Sequence, residues 1–590
     1  MDFGAQVLAA GGVRFRVWAP GARQAEVLLE PGGAHAMQAL ADGWHEAVVA
    51  QAGAGTRYRY RFDGGMPVPD PASRANPDDV HGASAVVDPT AYAWQDAAWR
   101  GRPWHEAVIY ELHVGAFTPE GTFAAAAERL AELAALGITA IELMPLADTP
   151  GGRNWGYDGV LLFAPESSFG TPDDLRALVD RAHGLGLMVL IDVVYNHFGP
   201  DGNYLHGYCP QFFNAAHQTP WGAAINYDGE HNAAVRAFFV ANALYWVEEF
   251  HADGLRLDAV HQIRDGSALP IVEEIAQALA QGPGRQRHVH LVLENEHNQA
   301  RRLGPAGPAT AQWNDDLHNA AHVLLTGETD GYYADYAQSP VELLGRALAE
   351  GYIYQGQVSP HLGVARGEPS GQLPPTAFIS FLQNHDQVGN RALGERLDRL
   401  AEARRLDALY ACLLLSPHIP MLFMGEEFAA STPFLFFCDF EGELADAVRQ
   451  GRRAEFQRFA AFTDEAARAR IPDPNAQATF AQSKLRWSER ETSPHRERLA
   501  LVQNLLALRH RHLVPRLAGA PQGGRLLGAG GVVHVAWPLA GGASWTLLAN
   551  LQDAPAEGAD AADNPGQTVY ASHAGTGMPP WSVRVSLHTP

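Results

Sequence analysis

Three carboxylates stand at or just beyond the ends of apolar runs in this chain of 590 residues. Asp258 closes Gly254-Leu255-Arg256-Leu257-Asp258, Glu294 closes Leu291-Val292-Leu293-Glu294, and Asp386 follows Phe381-Leu382-Gln383-Asn384-His385. A fourth run, Ile191-Asp192-Val193-Val194-Tyr195-Asn196-His197, turns polar in the same way. An acid at the end of a buried strand faces desolvation, which is tolerated only where it has partners or a task. Taken singly, each such residue reads equally as a helix cap or a solvated loop residue. As a set, with two histidines and an arginine, they are hard to explain as caps. Two carboxyl groups flanking an acetal bond are what glycoside hydrolysis needs: one protonated, to give its proton to the leaving oxygen, and one ionised, to attack the anomeric carbon. Arg256, two residues before Asp258 on the same face of an extended strand, favours the ionised form of that aspartate. This suits Asp258 to be the nucleophile and leaves Glu294 as acid/base. Asp386 would then bind sugar hydroxyls and favour a distorted, oxocarbenium-like ring.

Such distant residues meet only if the fold gathers strand ends. From about residue 106 the sequence repeats a short apolar run, a loop and a 3.6-period segment, which is the rhythm of βα units. Strands are predicted at Val108 to Val114, Ala140 to Leu146, Met188 to Val194, Gly254 to Asp258, His288 to Glu294, Thr310 to Trp313, Ala377 to Leu382 and Ile419 to Phe423. Helical patterns fall at Thr122 to Leu136, Pro172 to Leu185, Ala233 to Phe250, Ile271 to Ala280 and Ala401 to Leu415. The fold class is α/β: a (β/α)8 TIM barrel at about 106–515, whose strand C-termini share one rim. Residues 1–90 alternate apolar and polar, as in Val13 to Trp18 and Tyr58 to Phe62, and predict an N-terminal β-sandwich of Ig-like kind. Alternation returns over 520–590, as in Val532 to Trp537, and predicts a C-terminal all-β domain. A long connection at about 197–231, without clear periodicity, follows the third barrel strand and reads as a functional wall. Within it, Trp221 is the strongest candidate for stacking on a sugar face. Trp313-Asn314-Asp315-Asp316, beyond the sixth strand, reads equally as a helix cap or as a segment that shapes the subsites for the departing end of the substrate.

Composition narrows the partners. With 46% hydrophobic and 18% charged residues, the chain has material for a large core. Its formal charge of −23 repels nucleic acid and anionic membrane, neither of which is expected as a partner. Lys484 is the single lysine, so a Walker phosphate loop is absent. Cys209, Cys412 and Cys438 are too few and too scattered for a disulfide framework. With no leader pattern at the N-terminus and no long apolar run, a cytoplasmic protein is expected. His288 and His290 alternate on one strand without the spacing of a zinc site, so no metal and no cofactor are expected.

The four acid-bearing segments resemble the four signature regions of the α-amylase family of glycoside hydrolases. The resemblance covers roughly 106–515 and implies retaining hydrolysis with Asp258 as nucleophile, Glu294 as acid/base and Asp386 as transition-state stabiliser. It further implies that His197 and His385 bind sugar, that Arg256 is the family's arginine beside the nucleophile, and that Tyr157 packs on the ring before the cleaved bond. Phe15 to Pro20 resembles the β-sandwich module that precedes branching and debranching enzymes. Three passages are similar to the branch of the family that releases trehalose from maltooligosyltrehalose. They are Asp70 to Arg74 with Val80 to Gly82, Phe381 to Gly394, and Gly425 to Phe428 with Pro433 to Phe437. That likeness implies maltooligosyltrehalose and related α-glucans as substrates, and a functional partnership with a maltooligosyltrehalose synthase. The acidic trio alone leaves glycogen branching, α-1,6 debranching and plain glucan binding open.

Overall fold

The computed structural model describes every residue except 1, 305–306, 459–461, 463, 521, 529–530, 561–565 and 576. Eight parallel strands close into a barrel: β1 (Ile109–Leu112), β2 (Ala140–Leu143), β3 (Met188–Val193), β4 (Gly254–Leu257), β5 (His290–Leu293), β6 (Ala311–Trp313), β7 (Phe378–Ser380) and β8 (Ile419–Phe423). All eight predicted strands are present, each within its expected run. Their continuous apolar character follows from burial on both faces, by the barrel interior and by the surrounding helices.

Alternation along the strands makes the floor of the rim. Ile109, Ala140, Leu190 and Val292 fill the barrel interior. Two residues further along, on the same inward face, come Glu111, Glu142, Asp192 and Glu294. The sheet therefore passes from an apolar layer to an acidic one within a single side-chain step. Strand register then sets the pairs: Asp192 lies opposite Arg256 between β3 and β4, and Leu257 opposite Leu293 between β4 and β5. The ladder continues past the strands, as the Asp258 amide donates to Val193 O (3.1 Å) and the Glu294 amide to Leu257 O (3.0 Å). Asp258 and Glu294 thereby leave the sheet side by side.

The main helices around the barrel are α1 (Phe123–Leu136), α2 (Pro172–Gly184), α3 (Asn232–Glu249), α4 (Ile271–Gln281), α5 (Asp315–Thr326), α6 (Pro340–Glu350), α7 (Ala403–Leu414) and α8 (His495–Leu508). The five expected patterns coincide with α1, α2, α3, α4 and α7, whereas α5 and α6 form where no helical pattern is read. Helix α2 starts with a capping box between Thr171 and Asp174 and has Pro172 in its first turn. Helix α5 is capped by the Asn314 side chain, which accepts from Leu317 N, so Asn314 does serve as a helix start.

On the N-terminal side, two four-stranded antiparallel sheets pack as a sandwich between Gly4 and Ala85. Arg74 ties it to the barrel by two hydrogen bonds to the Glu249 carboxylate at the end of α3 (2.7 and 3.0 Å). A five-stranded antiparallel sheet spans Arg525 to His588. Trp545 fastens it to the barrel by donating to Leu415 O (2.7 Å). Among the described residues no helix is long and apolar enough to cross a membrane. The connection after β3 differs from its reading as irregular chain: it holds a hairpin, Phe213–Thr219 with Gly222–Ile225. No residue of its first strand is buried, so no alternation marks it in the sequence.

Candidate active site

A cavity of about 580 Å³ opens at the C-terminal rim of the barrel. Asp258, Glu294, Asp386, Tyr157, His197, Trp221 and His385 all line it, though the segments that carry them span 230 residues of sequence. Arg256 lies directly beneath and is completely buried. Its guanidinium bonds three carboxylates at once: Nη1 to Asp192 Oδ2 (2.6 Å) and Asp258 Oδ1 (2.9 Å), and Nη2 to Glu294 Oε2 (2.7 Å). The Trp313 ring covers this guanidinium at 4.0 Å. Asn196 donates to Asp258 Oδ2 (2.8 Å), and the Ala259 amide to Glu294 Oε2 (2.9 Å).

These contacts separate the two acids. Burial pushes the Glu294 carboxyl up; Arg256 opposes that, and the charges of Asp258 and Asp386 add to it, leaving the group at about 7. Asp258 is also raised by burial, but Arg256 and the Asn196 hydrogen bond act against the rise. Both carboxyls are raised, and Glu294, poised near neutrality beside a neighbour that Arg256 and Asn196 favour in its ionised form, is suited to give and take a proton.

The other wall is aromatic. Tyr157 and His385 stack at 5.1 Å with 20° between planes, and the Tyr157 hydroxyl donates to Asp192 Oδ2 (2.7 Å). His385 is bonded through Nδ1 to Glu111 Oε1 (2.5 Å), and its backbone amide donates to the same carboxylate (3.0 Å). Its Nε2 lies 3.4 Å from Asp386 Oδ1. Burial disfavours charge on this imidazole, but Asp386 and Glu111 outweigh it and hold the group at about 9. His385 is therefore a cation at neutral pH. His197 is bonded to Tyr157 O (3.0 Å) and stacks on Trp221 at 4.8 Å, while burial lowers its pKa. Trp221 itself is half exposed, at the tip of the hairpin.

Sequence reasoning missed several residues. Glu111 and Glu142 interrupt apolar strands, and an acid inside such a run was the available signal. Neither oxygen of Glu142 meets a hydrogen-bond donor among the described residues, and burial drives its carboxyl well up. Tyr332, Tyr336 and Arg366 line the cavity together with Asp315, which the sequence already singles out beyond the sixth strand. The first two lie between α5 and α6 and Arg366 between α6 and β7, where a 3-10 turn and loops give no period to read. Among the described residues no cluster of three or more His, Cys, Asp or Glu could hold a metal ion.

Comparisons with known proteins agree with this geometry. Residues 74–214 match the alpha-amylase catalytic domain, and residues 2–80 match carbohydrate-binding module 48, the isoamylase N-terminal domain. The chain is similar to the malto-oligosyltrehalose trehalohydrolase of Deinococcus radiodurans, 44% identical over 509 residues, covering 86% of this chain and 82% of the relative. It is similar to that of Saccharolobus solfataricus too, at 40% over 492 residues, covering 82% and 84%. A 1.4 Å crystal structure from Salmonella typhimurium, provisionally described as an alpha amylase, superposes over the whole of both chains with a TM-score of 0.94 and 47% identity.

Proposed function

The chain belongs to the malto-oligosyltrehalose trehalohydrolases of the α-amylase family of glycoside hydrolases, and on that premise we propose that its rim cavity releases trehalose from maltooligosyltrehalose by retaining cleavage of the adjoining α-1,4 bond. The observation that carries the mechanism is the shared guanidinium: Arg256 bonds Asp258 and Glu294 together. Held on one cation, the two carboxyl groups suit the short separation of retaining enzymes, about 5–5.5 Å, rather than the wider gap that inverting enzymes keep for a water.

In the first step Asp258 Oδ attacks the anomeric carbon as Glu294 gives its proton to the departing trehalose oxygen. The glycosidic bond breaks and an ester to Asp258 forms. Glu294, now ionised, takes a proton from water, whose oxygen attacks the same carbon, and the oligosaccharide leaves as Asp258 regains its charge. Asp386 and the cationic His385 hold hydroxyls of the distorted ring. Tyr157 packs on the ring's face, and His197 and Trp221 extend that surface.

The sheets before and after the barrel support domains at 1–90, 106–515 and 520–590, with 197–231 as an insertion in the barrel. Three free, buried cysteines suit a cytoplasmic location. A substrate capped by trehalose also calls for an enzyme that makes the cap, a maltooligosyltrehalose synthase acting before this one. Incubation with maltooligosyltrehalose, maltooligosaccharide and glycogen separately tests the reading. Free trehalose is expected from the first, with retained configuration by NMR; its absence, with products from glycogen instead, assigns the site to branching or debranching.

A further inference from the structure

Two adjacent aspartates open helix α5, and their surroundings differ. Asp316 is fully buried and fully engaged: it accepts from Asn298 Nδ2 (3.1 Å), the Tyr336 hydroxyl (2.5 Å) and the amides of Ile353 (2.7 Å) and Tyr354 (3.1 Å), and it pairs with Arg366 (3.1 Å). That network clamps the chain between α5 and β7 onto the start of the helix. Asp315 lines the cavity, half-buried, and no described residue donates a hydrogen bond to its carboxyl group. A polar group withdrawn from water into a cavity without protein partners is matched to a ligand that supplies them.

Position on the rim says which part of the ligand. Barrel order runs β4, β5, β6, carrying Asp258, Glu294 and Asp315 in turn. An acid that protonates the leaving oxygen faces the leaving group, and the next strand beyond it, away from the nucleophile's strand, borders that departing part. We propose that Asp315 is a specificity residue that contacts the departing disaccharide, taking hydroxyls of its terminal glucose and so distinguishing a trehalose end from a maltose end. The inference rests on the trehalose-releasing function proposed above. A 1,1 linkage turns the terminal ring relative to a 1,4 linkage, so one fixed carboxyl group cannot meet the same hydroxyl pair in both. Sites built to bond a hydroxyl discriminate strongly against ligands that fail to offer it.

The test compares kcat/KM for maltooligosyltrehalose with that for a maltooligosaccharide of equal glucose number, in wild type, Asp315→Ala and Asp315→Ser. Inhibition by free trehalose is measured alongside. The capped-to-uncapped ratio is expected to fall at least ten-fold in both variants, and the trehalose inhibition constant to rise by a similar factor. A ratio and an inhibition constant unchanged from wild type overturn the inference, and so does a parallel loss on both substrates. Thermal unfolding checks that each variant is folded, and the near-isosteric Asp315→Asn, read by the same ratio and the same inhibition constant, carries the test should either of the others not fold. A wild type that releases no trehalose defeats the functional reading itself, an outcome distinct from an unchanged ratio in the variants.

Discussion

Strand β4 carries an aspartate at each end, Asp253 just before it and Asp258 just after. Both are buried and both have an arginine partner. At the lower end every acceptor of Asp253 is used: Oδ1 takes Trp99 Nε1 (2.8 Å) and Arg287 Nη1 (3.0 Å), and Oδ2 takes His183 Nε2 (3.0 Å) and the Val189 amide (2.9 Å). Around it, Asp96 is bonded to His183 and His251, which overcome its burial and hold its carboxyl down at about 2. At the upper end Asp258 shares one arginine with Asp192 and Glu294, and it faces a cavity. Acid residues alone do not mark chemistry. What separates the two ends is whether the protein satisfies the carboxylates itself or leaves their capacity, and their shifted proton affinities, to a ligand.

The sharpest way to break that comparison is to remove the acid at the upper end. Asp258→Asn keeps the shape and loses the nucleophile, so kcat is expected to fall by at least about 10⁴-fold. The unfolding midpoint is expected to stay or rise, because a crowded buried charge is gone while Arg256 keeps two carboxylates. A large fall in the midpoint together with retained turnover would make this end structural like the other.

The lower end should respond in the opposite way. Asp253→Ala leaves Arg287 and His183 buried beside an empty site, at a cost of about 3–5 kcal/mol in denaturant unfolding. Turnover per folded molecule should stay within about three-fold of wild type. A loss of kcat without loss of stability would mean that charge at the base of the barrel reaches the rim.

A third effect is read through pH. Glu294 must hold its proton for the first step, so kcat/KM is expected to decline as pH rises past about 7. The stability sign follows from the same raised carboxyl: relative to Glu294→Gln, wild type loses stability as pH climbs from the ordinary carboxylate range through about 7, on the order of 1–3 kcal/mol in all. The two proteins should converge below about pH 4.5. Denaturation midpoints at pH 4, 6 and 8 check this, and an unchanging gap would mean that Glu294 titrates as an ordinary surface acid.

How much of this was legible depends on what burial does to sequence. The eight strands could be read because parallel barrel strands are apolar throughout, and the acidic trio because charges at the ends of such runs stand out. His385 could be placed on the rim, but its charge could not, since that depends on Glu111 meeting it across 274 residues. Tyr336 and Arg366 were hidden in chain without period, and their place at the cavity is set by Asp316, whose burial nothing local announces. Asp315 and Asp316 look alike in sequence; only the direction each side chain takes from the first turn of α5 assigns one to the frame and the other to the cavity.

Trp221 should give the smallest effect, and it sharpens the comparison within the upper end. It is 50% exposed and rests on His197 with 22° between ring planes, so it adds surface for a sugar without touching the buried charges. A ring that contacts bound sugar equally before and during bond cleavage changes binding alone. Trp221→Ala is therefore expected to raise KM about 2–10-fold, corresponding to about 0.5–1.5 kcal/mol of aromatic contact, with kcat within about two-fold. A fall in kcat at constant KM would instead mean that Trp221 fixes the His197 ring. Its role would then be to orient the buried wall, and the line between satisfied and open groups would run through the hairpin tip rather than beneath it.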